Sequence, residues 1–404
     1  MTDSKWNASE GSGQAPRDPF TIGLDDRYDR LKLIGWWDQQ LLSRAKILVV
    51  GAGALGNEVV KNLALVGAGK ILIIDFDRIE LSNLSRSVLF RAEHQGRSKA
   101  EVAAEMARQL NPDCQIVGWQ GDVLTDVGLG LVHDAEVVIG CVDNREARLW
   151  INRMCWKVGT PWIDGGIQEI NGVCKVFVPG DGGCYECAMT ENDYRLIQLR
   201  YSCPLLSRDD LQQGKVPTAP TIASIIGGLQ VQEALKLLHR KSTQSGTAIV
   251  FNGDSNQCYL TRYPVRDDCL SHEHYAPIIE LDVHSDSTVA ALFAELNFAG
   301  IRAQRLELDR DWLIELYCSH CGSSQPVEQP MSRVTQRQAD CGKCGQPRQP
   351  RTIHEVELGG SWDHKTLCEL GIPRQDIVKV RGTNQLYYVR LAGDQHVHGN
   401  RIWS

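Results

Sequence analysis

The sequence predicts an α/β protein, built on a doubly wound, mostly parallel sheet and continued by a smaller C-terminal α+β domain. Three observations carry that expectation. Lys46-Ile47-Leu48-Val49-Val50 is a short apolar run of the kind that makes a buried strand, and Gly51-Ala52-Gly53-Ala54-Leu55-Gly56 comes after it without a break. Apolar strand segments then alternate with helical ones as far as Val178. Beyond Pro277, the pairs Cys318/Cys321 and Cys341/Cys344 mark a zinc ribbon in a second unit.

A chain of 404 residues can bury a large core and hold two or more domains. Its net charge of −7, with 23% charged residues, argues against nucleic acid or a membrane surface as a partner. No apolar run reaches the length of a membrane span, and the first residues do not read as a signal peptide. Several of the fourteen cysteines fall in Cys-x-x-Cys pairs in a large chain, which suits reduced thiols, zinc and a cytoplasmic location better than disulfides. Residues 1–25 read as a flexible tail, rich in Ser, Gly, Asn and Gln up to Pro19.

The first strand and its glycines form the opening of a nucleotide-binding βαβ unit. Glycine lets the backbone turn sharply and approach a phosphate, and the next helix, over Asn57 to Leu65, offers its free N–H groups. Gly67 and Gly69 close that helix, and a second strand, Ile71 to Ile74, delivers Asp75 to where a carboxylate holds ribose hydroxyls. A glycine loop alone suits NAD or FAD. The residues downstream favour a triphosphate, because cations are needed where charge builds between its phosphates. Asp77, Ser82-Asn83-Leu84-Ser85-Arg86 and Lys99 come in order, and then Ile139-Gly140-Cys141-Val142-Asp143-Asn144 places a carboxylate after another strand, suited to hydrated Mg²⁺.

This ordered set resembles the ThiF/MoeB superfamily over about residues 26–275, and most closely the enzymes that activate ubiquitin-like proteins. Ala54 departs from the second consecutive glycine that many relatives carry. The resemblance implies a Rossmann-like domain that uses Mg-ATP to adenylate the C-terminal glycine of a ubiquitin-like protein. Gly51, Gly53, Ala54, Gly56, Asp75, Asp77, Ser82, Asn83, Arg86, Lys99, Asp143 and Asn144 would bind the nucleotide. Among them Asp143 would hold magnesium, and Arg86 and Lys99 would neutralise the departing phosphates. Asp26-Arg27-Tyr28-Asp29-Arg30-Leu31 resembles the family's opening helix, whose arginine reaches the nucleotide of a partner subunit. Arg27 and Arg30 are both candidates, and a homodimer is implied; Leu31 stands where the family pattern has Gln.

Further elements complete the first domain. A helix runs over Ala100 to Gln109, strands over Glu136 to Gly140, Trp162 to Asp164 and Val173 to Val178, and a helix over Thr218 to His239. Gly227-Gly228 weakens that last helix unless another backbone packs closely there. The polar stretch 188–217 reads as a long loop crossing the nucleotide cleft. Cys203 lies within it, at the place where the resemblance puts a thioester-forming cysteine, with Arg195, Arg200 and Arg208 nearby to favour a thiolate. The remaining cysteines, Cys114, Cys141, Cys155, Cys174, Cys258 and Cys368, read as core or incidental.

Cys184 and Cys187 pair with Cys269 and His272 as a structural zinc site of three thiolates and one imidazole, His274 being the rival fourth ligand. Cys318, Cys321, Cys341 and Cys344 make an all-thiolate site within residues 276–404. Thr366 to Leu370, Gly371-Ile372-Pro373 and the strands Ile377 to Val380 and Leu386 to Leu391 look like part of a β-grasp fold. In the resemblance such a domain receives a conjugating enzyme. The alternatives are a sulfur-carrier adenylyltransferase without a thioester step, an NAD-dependent oxidoreductase, and a non-catalytic scaffold.

Overall fold

The computed structural model describes residues 26–202, 217–383, 385–396 and 403. The expected tail 1–25, Cys203 and Arg208 lie outside them, as does the side chain of Arg200.

Two one-turn helices, α1 (Asp29–Lys32) and α2 (Gln39–Leu42), precede the first sheet. Then come β1 (Lys46–Val50), α3 (Ala54–Leu65), β2 (Lys70–Asp75), α4 (Lys99–Leu110), β3 (Gln115–Gln120) and α5 (Leu129–Asp134). β4 (Val137–Gly140), α6 (Arg145–Val158), β5 (Trp162–Gln168) and β6 (Asn171–Phe177) continue the run. It ends with α7 (Glu191–Ser202), α8 (Pro220–Leu238), β7 (Thr247–Asn252) and β8 (Gln257–Arg262). The strands lie in the order β3-β2-β1-β4-β5-β6-β7-β8. β3 to β5 are parallel, and β5 to β8 pair antiparallel. The expectation of a mostly parallel sheet therefore holds for one half only. Between Gln168 and Asn171 stand just Glu169 and Ile170, with Glu169 at φ 54°. A turn so short leaves no chain for a crossover helix, so β6 must run back along β5.

Strand alternation sorts the side chains into two layers. Ile47 and Val49 face one core with α3, α4 and α8, while Leu48 and Val50 face another with α5 and α6. On α8 a Cβ at Gly227 would sit 2.8 Å from the Cβ of Glu58 on α3, which gives the expected reason for a glycine inside a helix. The stretch 188–217 is not wholly a loop, since α7 occupies its first half. Asp193 accepts from Thr190 N at 2.9 Å and from its hydroxyl at 2.8 Å, and Asp193 N returns a bond to Thr190 Oγ1. That reciprocal cap starts a helix whose polar composition hides it.

The second sheet is mixed. β9 (Ile278–Leu281) leads to α9 (Val289–Phe298), then to β10 (Ala303–Tyr317), β11 (Ser324–Pro330), β12 (Gln349–Glu357), β13 (Ile377–Gly382) and β14 (Leu386–Leu391). Its order is β11-β10-β13-β14-β9, with β12 also on β10 and the first and last strands in sequence, β9 and β14, parallel neighbours. Val289, Leu292, Phe293 and Leu296 of α9 pack against Leu306, Val380, Val389 and Leu391. Where helix, turn and two strands were expected, a 3₁₀ turn (Cys368–Leu370) precedes β13 and β14.

The two sheets share a core. Ile377 belongs to the same apolar cluster as α5 and α6, and Tyr275 stacks on Tyr388 at 4.2 Å. Asp376 accepts from Leu129 N, at the start of α5, at 2.7 Å. Arg310 donates to Leu124 O at 2.7 Å and Val127 O at 3.0 Å, with its guanidinium over Trp150. Arg390 grips Asp134 with two bonds of 2.8 and 2.6 Å. Among the described residues no helix is long and apolar enough to cross a membrane.

Candidate nucleotide site and cysteine clusters

β1 sits between β2 and β4, so the direction of winding reverses between β1 and β4, and a crevice opens at their carboxyl ends. Gly51 has φ 98°, and a Cβ on it would lie 2.5 Å from Cys141 O at the end of β4. A Cβ at Gly56 would lie 2.0 Å from Gly51 O. Both glycines are demanded by the protein's own packing. Gly53 differs, because a Cβ there meets nothing within 4 Å. It caps α3 in an extended conformation with no side chain to satisfy the first turn, which leaves backbone N–H groups facing open space. Ala54, the departure from the family pattern, is a buried first residue of α3.

Asp75, at the end of β2, accepts from Ala52 N at 2.6 Å and Asp77 N at 2.7 Å. Burial pushes its carboxyl up to about 6, against the pull of Lys99 and the two backbone bonds. Lys99 Nζ pairs with Asp77 Oδ2 at 2.7 Å. Contacts thus run unbroken from the glycine loop through Asp75 and Asp77 to Lys99. A cation in the first turn of α4 opposes the helix dipole, a local cost of the kind that marks functional positions.

Arg86 Nη1 donates to Ser82 O at 2.8 Å, closing the loop that carries both residues, and Ser82 Oγ donates to Glu80 at 3.0 Å. Asn83 Oδ1 accepts from Glu80 N, and Asn144 Oδ1 caps α6 by accepting from Ala147 N at 2.8 Å. Toward a phosphate oxygen, itself an acceptor, the donor on either residue would be the amide nitrogen. Asp143 is exposed beside Asn144. Arg27 donates to Leu110 O at 3.1 Å and lies 3.8 Å from Asp113, so its own chain engages it; Arg30 is exposed on α1. Arg195 pairs with Glu191 at 3.6 Å on the outer side of α7.

Two supporting residues escape sequence reasoning. Asn57, fully buried, donates to Ala52 O and Gly53 O at 2.8 and 3.0 Å and accepts from Leu89 N at 2.9 Å, which ties the glycine loop to the segment after Arg86. Arg148 donates to Val142 O at 2.8 Å and Gly165 O at 3.0 Å and pairs with buried Asp164, which also holds Lys175 at 2.8 Å. It braces the loop on which Asp143 stands. A run of charged residues along α6 gives no sign of this. Cys141, inside the same motif, is a packing thiol, with burial holding it far above the usual thiol range.

The cysteines gather as expected, in two sets whose ligand atoms all lie within 4.8 Å of one another. In the first, Cys184 Sγ is 3.6 Å from Cys187 Sγ and 3.5 Å from Cys269 Sγ, and Cys187 Sγ is 3.4 Å from His272 Nε2. His274 turns away to Trp156 O, so His272 completes the set, its ring stacked on Trp156. In the second, Cys318 Sγ is 3.5 Å from Cys344 Sγ and Cys321 Sγ 3.6 Å from Cys341 Sγ. Gly322 and Gly345, at φ 68° and 72°, turn each knuckle back so that their N–H groups reach Cys318 O and Cys341 O. Soft donors in fours at this spacing fit Zn²⁺.

A model of the ThiF family matches residues 26–270. The chain is 32% identical over 220 residues to the sulfur carrier protein ThiS adenylyltransferase of Escherichia coli, covering 54% of this chain and 82% of that one. It is 30% identical over 264 residues to the SAMP-activating enzyme E1 of Haloferax volcanii, covering 62% and 91%. SUMO-activating enzyme subunit 2 of Dictyostelium discoideum is 37% identical over 166 residues, 41% of this chain, but the match spans only a quarter of that protein's length. The structure of E. coli MccB with ATP shares the fold, with a TM-score of 0.52 and 24% identity over 62% of this chain and 74% of that one. With the family's match running over more than half of its residues and covering the glycine crevice and the three cysteines of the first set, the chain belongs to the ThiF family.

Proposed function

We propose that this protein uses Mg-ATP to adenylate the C-terminal glycine of a ubiquitin-like protein. The observation that carries the reading is the contact chain Ala52–Asp75–Asp77–Lys99 beside the open, uncapped start of α3 at the switch point. Phosphates would lie on the N–H groups around Gly53, and the ribose hydroxyls on Asp75. A carboxylate oxygen of the carrier attacks the α-phosphorus, the bond to the β-phosphate breaks, and pyrophosphate leaves with the electron pair. Arg86 and Lys99 neutralise the charge that develops, and Asp75 holds the nucleotide in line. Asp143 would hold Mg²⁺, which supplies charge neutralisation on the phosphates.

In the fuller form of the proposal the Cys203 thiolate attacks the acyl-adenylate carbonyl, a C–S bond forms, and AMP departs with the electron pair. The thioester then passes to a conjugating enzyme docked on residues 276–404. Likeness to SUMO- and SAMP-activating enzymes supports this form, as does a second sheet lying beyond the family match. Likeness to a ThiS adenylyltransferase over 82% of its length supports the second reading, adenylation of a sulfur carrier with Cys203 idle. A homodimer, with Arg30 reaching the neighbouring nucleotide, and a cytoplasmic setting belong to both. Among the described residues no cysteine is in a disulfide, which suits a reducing compartment.

Carrier-dependent ATP–pyrophosphate exchange tests the first step. Asp143→Ala should abolish it, and exchange near the wild-type rate would remove Asp143 from the chemistry. A gel run with and without reductant decides between the two readings. A reductant-sensitive adduct lost in Cys203→Ala supports the thioester, and one that persists excludes Cys203.

A further inference from the structure

Glu186 stands between two metal-ligating cysteines, Cys184 and Cys187, and is fully buried. A buried carboxylate is costly unless several donors surround it. Here Arg153 of α6 reaches it with two bonds of 3.1 and 2.5 Å. Ser271, which lies between Cys269 and His272, donates to the same carboxylate and accepts from Asn152 of α6 at 2.8 Å. Tyr194 donates its hydroxyl at 2.8 Å, and it belongs to α7. One carboxylate thus joins both halves of the first cysteine set, the helix behind them, and the helix that leads towards Cys203. The neighbouring Asp193 pairs with Arg145 at 3.2 Å, at the start of α6 beside Asp143 and Asn144. α7 is thus tied to α6 directly at Arg145 and, through Glu186, at Arg153.

We propose that Glu186 and Tyr194 are positioning residues through which metal binding at Cys184, Cys187, Cys269 and His272 sets the place of α7. Metal draws the two knuckle halves together and so fixes Glu186 between Arg153 and Ser271. Glu186 then offers a rigid acceptor to Tyr194, whose phenol is protonated at neutral pH and donates at 2.8 Å. This goes beyond adenylation: it makes the first cysteine set the anchor of α7 as well as a staple. Only its consequence for group transfer rests on the reading of Cys203.

Hydrogen exchange measured on the full chain by mass spectrometry tests it. In zinc-loaded protein, Tyr194→Phe should raise exchange across residues 191–202 about tenfold, the worth of a hydrogen bond to a charged group, while α4 and α8 stay as they are. Stripping zinc from the wild type with a chelator should raise the same amides by a similar factor, and stripping Tyr194→Phe should add little. Glu186→Gln, which keeps an acceptor for the hydroxyl, should lie between. Cys341→Ser, which breaks only the second set, should leave 191–202 unchanged. Wild-type exchange in Tyr194→Phe, or zinc removal that acts equally on both proteins, would overturn the proposal. The expected pattern in a protein that shows no carrier-dependent pyrophosphate exchange would support the clamp while sinking the adenylation reading.

Discussion

Lys99 Nζ lies 2.7 Å from Asp77 Oδ2, with the ammonium largely withdrawn from solvent and the carboxylate part-exposed. The pair stores a cation at the rim of the glycine crevice and holds its long side chain in one place. Lys99→Ala should lower carrier-dependent pyrophosphate exchange by about 100-fold or more, the usual scale for losing a charge aimed at a developing anion. Asp77→Asn should cost only about tenfold, because the lysine remains but is less well placed. Neither change should alter stability by more than about 1 kcal/mol, since the pair is partly solvated. Equal activity losses in the two variants would refute this division of roles.

Asp75 gives a pH dependence whose sign is set by burial. Its folded carboxyl titrates at about 6 instead of 3.8. Stability contributed by this group is present below the ordinary value and lost as pH rises through the folded one, so ionised Asp75 is a stability cost at neutral pH. In the proposed reading Asp75 accepts from the ribose hydroxyls in its ionised form. ATP affinity followed by calorimetry should fall about tenfold per pH unit below about pH 6 and be flat in Asp75→Asn. A wild-type affinity unchanged down to about pH 5 would remove Asp75 from ribose binding.

The glycines separate folding from binding. Gly56→Ala forces a methyl to within 2.0 Å of Gly51 O and should destabilise the protein by about 2–3 kcal/mol. Gly53→Ala meets no protein atom and should cost under about 1 kcal/mol by denaturant titration, yet abolish ATP binding by occupying the space a phosphate would take. Nucleotide bound normally by the folded Gly53→Ala protein would move the phosphate site elsewhere.

Metal analysis should find two zinc ions per chain, falling to one in Cys184→Ser and to one in Cys341→Ser. Cys184, Cys187 and Cys269 belong to the core beneath α6, whereas Cys318, Cys321, Cys341 and Cys344 belong to none of the apolar core clusters among the described residues. Cys184→Ser should therefore lower the global melting temperature, and Cys341→Ser should mainly loosen the neighbourhood of β11. Less than one equivalent of metal in protein purified without chelator would contradict both sites.

The crevice was legible because its demands are local. Gly51 needs a positive φ, Gly56 a close approach, and the strands around them are short apolar runs. The braces were not, because their partners are set by tertiary structure. Asn57 meets Leu89, and Arg148 meets Asp164 and Gly165, across spans that no periodicity encodes. Between His272 and His274 spacing cannot choose; the direction of the chain after Cys269 does. The antiparallel half of the sheet turned on Glu169-Ile170, and α7 on the cap formed by Thr190 and Asp193, both visible as residues but weak as signals against a polar background.

Tyr275 and Tyr388 lie face to face, and Ile377 fills a gap in the core below α5. A gene cut between the two sheets would yield an upstream product with an oily scar along α5 and an unanswered N-terminus where Asp376 now sits. Such a product would clump. The downstream half is therefore keyed into the first sheet's own core instead of hanging from it on a flexible tether.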